Sequence, residues 1–253
     1  MIESDEAGRT IPHPVLKEYY ERESERRRFV TTLFDGSARY YDLAGLLMAL
    51  GSGAFYRRRT LAQAGLQRGM KLLDVATGTG QVARAALRIL EDRRAVIGVD
   101  PNASMLREAR RSLAIPLVRG TAEALPFGAE QFDFLSMGFA LRHVADLEAA
   151  FGEYRRVLKP GGRVLLLEVT RPRSAVGRSL VRVYLRQIMP LVMRLTTRSA
   201  QPGLLMKYYW DTIAECVPPE TILAVMRGSG FVQVDRKVFG GIFSEYVGTK
   251  PSR

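Results

Sequence analysis

A single cysteine, Cys216, stands in a chain of 253 residues. No internal disulfide can form, which fits a reducing compartment. Histidine is nearly as scarce. His13 and His143 lie far apart, with no further cysteine or histidine to join them, so no metal site is expected. Long apolar runs are missing as well: none approaches the roughly 18 residues needed to cross a bilayer. The first ten residues, Met1 to Thr10, are polar and acidic and lack the apolar segment of a secretory signal. These scarcities point to a cytoplasmic protein and leave contact with the inner face of a membrane open. No internal repeat and no low-complexity tract breaks the chain.

What is present is ordinary for a globular protein. Apolar residues make up 47% and charged residues 25%, enough to bury a full core. The length suits one domain with additions. The charge is less ordinary: 38 basic against 26 acidic residues give a net +12. Such an excess favours anionic partners, among them nucleic acid, a phospholipid surface or an acidic substrate. A solvated basic surface is the competing reading.

The hydropathy pattern changes along the chain. Residues 14–32 read as a charged helix, followed by helical stretches near 42–50 and 54–64. From residue 71 onward short apolar strands alternate with helices. Strands are expected at 71–75, 95–99, 116–118, 132–137 and 163–169, with helices at 81–90, 104–113 and 147–157 between them. The run Arg163–Val169 is apolar almost throughout, as befits a strand buried on both faces of a parallel sheet. Lys159-Pro160-Gly161-Gly162 stops the preceding helix. Residues 231–238 and 242–249 form a terminal antiparallel pair. The expected fold is α/β, a doubly wound, seven-stranded, mostly parallel sheet of Rossmann-like type. Its core spans 66–170 plus 229–253, an N-terminal helical cap covers 1–65, and residues 171–228 form a helical insert or substrate lid.

The central motif is Leu72-Leu73-Asp74-Val75-Ala76-Thr77-Gly78-Thr79-Gly80. Glycines after a strand let the backbone turn sharply and approach a ligand. Gly78 to Ala83 also satisfies a dinucleotide fingerprint, with Asp100 where a ribose-binding acid would lie. Charge separates the two readings. A dinucleotide brings an anionic pyrophosphate to this loop, and Asp74 would place a carboxylate beside it. S-adenosylmethionine carries a sulfonium and an ammonium instead, which a carboxylate favours. Asp100 serves the ribose of either.

Further segments follow in order: Gly98-Val99-Asp100-Pro101, then Gly120-Thr121-Ala122-Glu123, then Gln131-Phe132-Asp133. Together with the glycine loop they resemble the class I S-adenosylmethionine-dependent methyltransferases. The stretch Arg156 to Thr170, Phe139-Ala140-Leu141-Arg142-His143-Val144, Phe34-Asp35 through Tyr41-Asp42, and Tyr208-Tyr209-Trp210-Asp211-Thr212-Ile213 narrow the match. They resemble the quinone C-methyltransferases of ubiquinone and menaquinone biosynthesis. The chain departs from that pattern after Asp42, at Thr121, at Tyr246 and at Thr170, where the family usually has serine, while residues 139–144 are similar to its F-G-L-R-N-V segment.

The resemblance implies S-adenosyl-L-methionine as cofactor. It implies contacts from Asp74, Ala76, Thr77, Gly78 and Gly80 of the first loop, and from Asp100, Pro101 and Met105 after the second strand. Thr121, Ala122 and Glu123 would follow the third strand, and Met137 the fourth. The implied acceptor is a small aromatic molecule, prenylated or not, and the implied reaction is C-methylation of a quinol precursor. Another phenolic or natural product, methylated on carbon or oxygen, is the alternative. Such a ring becomes a strong nucleophile once its hydroxyl loses a proton, near 10 judging by tyrosine, so the site needs a base or a cation that stabilises phenolate. Arg142 is the first candidate, as a phenolate stabiliser, against the reading of a structural ion pair. His143 titrates in a useful range, and Tyr208, with Tyr40 and Asp211, is placed at the acceptor pocket.

Nucleic acid is not an expected partner. The loop after the fourth strand reads Ser136-Met137-Gly138-Phe139 in place of the Asp/Asn-Pro-Pro-Tyr type of amino-directed base methylation, and Cys216 lies outside the core. A non-catalytic cofactor-binding module is a third reading, raised by the altered acceptor region. In the insert, Arg178, Arg182 and Arg186 are spaced to share one helix face, and Pro190 is expected to kink or end that helix. This basic face suits an anionic membrane or a solvated lid. The oligomeric state stays open, a homodimer included.

Overall fold

A computed structural model describes residues 10–49 and 51–252. The reading of the first ten residues therefore lies, apart from Thr10, outside the described part. The chain folds around a seven-stranded sheet in the order β3-β2-β1-β4-β5-β7-β6. β1 (Leu72–Val75), β2 (Val96–Asp100), β3 (Leu117–Arg119), β4 (Phe132–Gly138) and β5 (Leu158–Val169) run parallel. β6 (Val232–Phe239) and β7 (Phe243–Thr249) complete the sheet as an antiparallel pair, β7 lying against β5. β1 is buried along its whole length. Order reverses between β1 and β4, and ligands of such sheets bind outside the carboxyl ends of the strands at that switch.

α4 (Gln81–Leu90), α5 (Ala103–Ser112) and α6 (Leu147–Val157) link the strands. Two caps are explicit: Asn102 accepts from the Met105 amide and Asp146 from the Ala149 amide. β5 starts earlier than its apolar run suggests. Lys159–Gly162 stays in the sheet as a bulge, because Gly161 and Gly162 exchange backbone hydrogen bonds with Lys250, and the register with β4 shifts there. α10 (Pro219–Gly228), grouped by sequence with the insert, packs Ile222, Val225 and Met226 into the sheet core.

The N-terminal helices are α1 (Glu23–Ser37), α2 (Tyr41–Met48) and α3 (Gly53–Gln63). Residues 14–22 are turns rather than the expected helix. Their apolar side chains, Leu16 and Tyr20, instead join a separate core with Leu33, Ala44 and the insert. Pro190 does not end the insert helix. α7 (Ala175–Val183) continues through a π-type turn, Tyr184–Ile188, into α8 (Met189–Thr197). A π turn uses i→i+5 bonds, and this one lies directly before the proline, which has no amide hydrogen to give. α9 (Gln201–Ala214) returns and buries most of its length.

Gly80 shows how tightly this frame is set. Its φ is +84°, and a Cβ there would come 2.0 Å from Leu113 Cδ1. Gly80→Ala is expected to cost roughly 2–4 kcal/mol, left-handed strain and overpacking combined. Equilibrium denaturation checks this, with an unchanged midpoint as the contrary result.

Candidate active site

One cavity of about 800 Å³ opens at the strand ends near the switch point. That volume lies in the range of ligand sites. On the sheet side it is bounded by Ala76 and Gly78 after β1, Asp100, Pro101, Asn102 and Met105 after β2, and Thr121, Ala122 and Glu123 after β3. Met137 to Ala140 and His143 to Asp146 line it beyond β4. The other wall is α1, through Glu23, Arg26, Val30 and Phe34, joined by Tyr41. Two contacts pin α1 across the opening: Asn102 Nδ2 donates to the Thr31 carbonyl (3.3 Å), and Arg26 donates to the carbonyls of Arg142 (2.8 Å) and Val144 (3.3 Å).

Nine of the twelve residues assigned to the cofactor from sequence line this cavity; Asp74, Thr77 and Gly80 do not. Asp74 is turned into the protein, where its carboxylate accepts from Thr77 Oγ1 (2.6 Å) and Ser136 Oγ (2.7 Å). It shapes the loop from behind instead of facing a cation in the cavity, and Thr77 serves as its donor. Gly80 is filled by Leu113. Gly78 is the glycine whose freedom serves the cavity: its φ is +57°, and a Cβ there would enter open space. Asp42 of α2 braces the same loop by accepting from Thr79 Oγ1, Gln81 Nε2 (3.0 Å) and Arg84 Nη2 (2.7 Å).

Asp100 accepts from the amides of Gly78 and Asn102, each at 2.8 Å. Burial pushes its carboxyl up to about 6, against those hydrogen bonds; burial does the same to Asp74. A sugar diol donates best to the ionised form. If Asp100 accepts from such a diol, cofactor affinity should be highest above about pH 6 and fall as the pH drops through that value. If Asp100 is the controlling group, calorimetry should find roughly a tenfold loss from pH 7 to pH 5, abolished in Asp100→Asn. A flat profile in the parent contradicts this role.

The acceptor candidates separate in the structure. Arg142 is 2% exposed and does not line the cavity. Nη1 donates to Glu168 Oε2 (2.7 Å), Nε to Thr212 Oγ1 (3.1 Å), and the guanidinium lies over the Tyr209 ring at 4.9 Å. The structural ion pair holds Arg142 behind the cavity wall, out of contact with whatever the cavity takes. Arg142→Ala would strand a buried carboxylate and should cost about 3–5 kcal/mol, read from urea unfolding; a loss of turnover alone, with stability kept, refutes this. Tyr208 is also buried outside the lining. Tyr40 does not line it, and Asp211 is engaged by Tyr19 and Arg186.

His143 does line the cavity. Its ring stacks on Tyr208 (centroids 5.6 Å, 16°) and meets the Phe34 ring edge-on (5.4 Å, 78°). Neither ring nitrogen has a hydrogen-bond partner among the described residues. Burial, and then the charges of Arg142 and Arg26, hold its pKa well below the usual histidine value, so the ring is neutral near pH 7. Sequence reading missed the α1 wall, including Glu23 and Arg26, and missed Asn102. The capping position of Asn102 before α5 was a usable signal; nothing local to residues 23–34 shows which surface that helix covers.

Comparison with known proteins agrees with this geometry. The ubiE/COQ5 methyltransferase family matches residues 21–250. The ubiquinone/menaquinone biosynthesis C-methyltransferase UbiE of Shewanella sp. (strain W3-18-1) is 33% identical over 218 residues, 83% of this chain and 86% of the relative. A SAM-dependent methyltransferase of Thermotoga maritima, described as a possible histamine N-methyltransferase, superposes with a TM-score of 0.60 at 22% identity, covering 87% of this chain and 98% of its own. Phosphoethanolamine N-methyltransferase 2 of Haemonchus contortus, solved with S-adenosyl-L-methionine, gives 0.57 at 16% identity over 90% of this chain and 59% of its own. The two solved structures share the fold. Loop, cavity and relatives together identify an enzyme whose cofactor is S-adenosylmethionine, and the chain belongs to the ubiE/COQ5 methyltransferase family.

Proposed function

We propose that this enzyme methylates a ring carbon of a hydroquinol in the cavity beside His143. The observation that carries the reading is His143 itself, a neutral ring in the cavity wall whose two nitrogens are buried with no partner among the described residues, so that a side-chain adjustment on ligand entry opens one of them. The names of the curated relatives, ubiquinone/menaquinone biosynthesis C-methyltransferases, support the acceptor class. S-adenosylmethionine supplies an electrophilic methyl group on a sulfonium. The chain's part is alignment and charge. Gly78 and Asp100 bound the cofactor side of the cavity, while Phe34 and Tyr41 give apolar surface for an aromatic ring. In-line positioning of that kind is the main source of acceleration in such a displacement.

His143 accepts a hydrogen bond from the acceptor's ring hydroxyl, drawing electron density toward the attacking carbon. Arg26 in the wall, and Arg142 behind it, favour the negative charge that develops as that hydroxyl releases its proton to solvent; the ring carbon then gains the methyl group and loses its hydrogen as a proton, and the hydroxyl is restored. A neutral acceptor suffices for the histidine's part, so an amide oxygen can replace it.

Turnover of a short-tailed hydroquinol with isotopically labelled methyl donor, read by mass spectrometry and NMR, tests this. The label is expected on a ring carbon; label on oxygen, or no turnover with any hydroquinol, overturns the acceptor assignment. His143→Phe should lower kcat/KM on the order of 10–100-fold, as loss of a buried hydrogen bond implies, with cofactor affinity unchanged. His143→Asn should recover most of it. Full activity in the phenylalanine variant removes His143 from the reaction.

A further inference from the structure

The segment from α7 to α8 carries apolar side chains on two opposite faces. Leu185, Met189 and Met193 point inward and join the core formed with α9. Outward stand Val176, Leu180, Val183, Ile188, Leu191 and Leu195, of which Val176, Leu180 and Leu195 are 70%, 66% and 72% exposed. A helix apolar all round is normally covered on all sides. The outer residues follow helical spacing, i, i+4, i+7, up to Val183 and again, i, i+3, i+7, from Ile188. Between the two halves lies the π turn, Tyr184–Ile188. Its one extra residue offsets the face by about 100°, which is what brings Ile188, Leu191 and Leu195 into line with Val176, Leu180 and Val183. A continuous outer stripe about 30 Å long results.

Charge identifies what covers it. From Val169 to Trp210 there are seven arginines, one lysine and no aspartate or glutamate. Arg186 is not part of the outer charge: it pairs inward with Glu18 (3.0 Å) and Asp211 (3.2 Å). The shared face of Arg178, Arg182 and Arg186 expected from sequence is therefore broken by the π turn. Arg182, Arg194 and Arg198 remain exposed along the same helix, and none of them has a salt bridge among the described residues. Two copies meeting through this stripe would set arginine against arginine with no acid between 169 and 210 to neutralise it. An anionic bilayer accepts both features, the apolar side chains in the acyl boundary and the guanidinium groups among the phosphates. No helix of the described residues is long and apolar enough to cross a membrane, so the contact lies in the plane of the surface.

We propose that the outer face of α7–α8 docks this enzyme on an anionic lipid surface. The proposal stands independently of the acceptor, since it concerns residues outside the cavity lining. Co-sedimentation of the full chain with phosphatidylcholine vesicles, and with vesicles containing phosphatidylglycerol, tests it. The parent should bind the anionic vesicles preferentially at low salt. Leu180→Gln, Leu191→Gln and Leu195→Gln together should weaken binding on the order of 100-fold, with melting temperature and cofactor affinity unchanged. Arg182→Gln with Arg194→Gln should weaken it on the order of 10-fold at low salt and less at high salt. No preference for anionic vesicles, or a triple glutamine variant that binds like the parent, overturns the proposal. So does a parent that stays off vesicles and sediments as a dimer which the glutamine variant makes monomeric; the stripe would then be an interface between copies.

Discussion

The ion pair of Arg142 with Glu168 joins the ends of two neighbouring strands to the helices on either side of the cavity. Glu168 ends β5 and also accepts from the Leu141 amide at 2.7 Å. Arg142 follows β4 and reaches Thr212 and the Tyr209 ring on α9. Its own carbonyl receives Arg26 from α1. Through its guanidinium and its carbonyl, this one residue ties the loop after β4 to the helix that backs the cavity and to the helix that roofs it. Burial makes this arrangement all-or-none, because either charge alone in that environment is far costlier than the pair.

The sheet was largely legible in the sequence because its elements obey local rules. α4 and α6 keep the residues their periodicity predicts, Gln81–Leu90 and Leu147–Val157. The strand-end residues Ala76, Gly78, Asp100 and Met137 could be found from the loop motif and the βα alternation. What local rules do not encode is direction. Asp74 lies in the right motif, yet its carboxylate turns toward Ser136, since a buried acid takes the donors nearest to it. Arg142 lies in the right segment, yet Glu168, far along the chain, claims it. Pro190 reads as a helix stop, and only the wider turn before it, together with packing on α9, carries the helix through.

The roof of the cavity lies further from local rules still. α1 is highly charged along its exposed side, and its sequence reads as a solvated helix. Burial of Arg26, and the closing contact between Asn102 and Thr31, depend on strand ends more than 65 residues away, and burial of Leu33 depends on the insert. Such a surface becomes readable only once the order of the strands is known.

Asp42 and Tyr41 are neighbours on α2 with different tasks. Asp42 grips Thr79, Gln81 and Arg84 behind the cofactor loop. Tyr41 lines the cavity and receives a hydrogen bond from Tyr209 (2.8 Å), whose ring lies under Arg142. A displacement of the glycine loop would therefore reach the Tyr41 wall of the cavity through a single peptide unit. Linkage is reciprocal: to the extent that the cofactor stiffens this helix, the acceptor binds more tightly, and the acceptor returns the same factor to the cofactor. Two consecutive side chains of one short helix would thus tie the two sides of the cavity together by one common factor, whichever ligand arrives first.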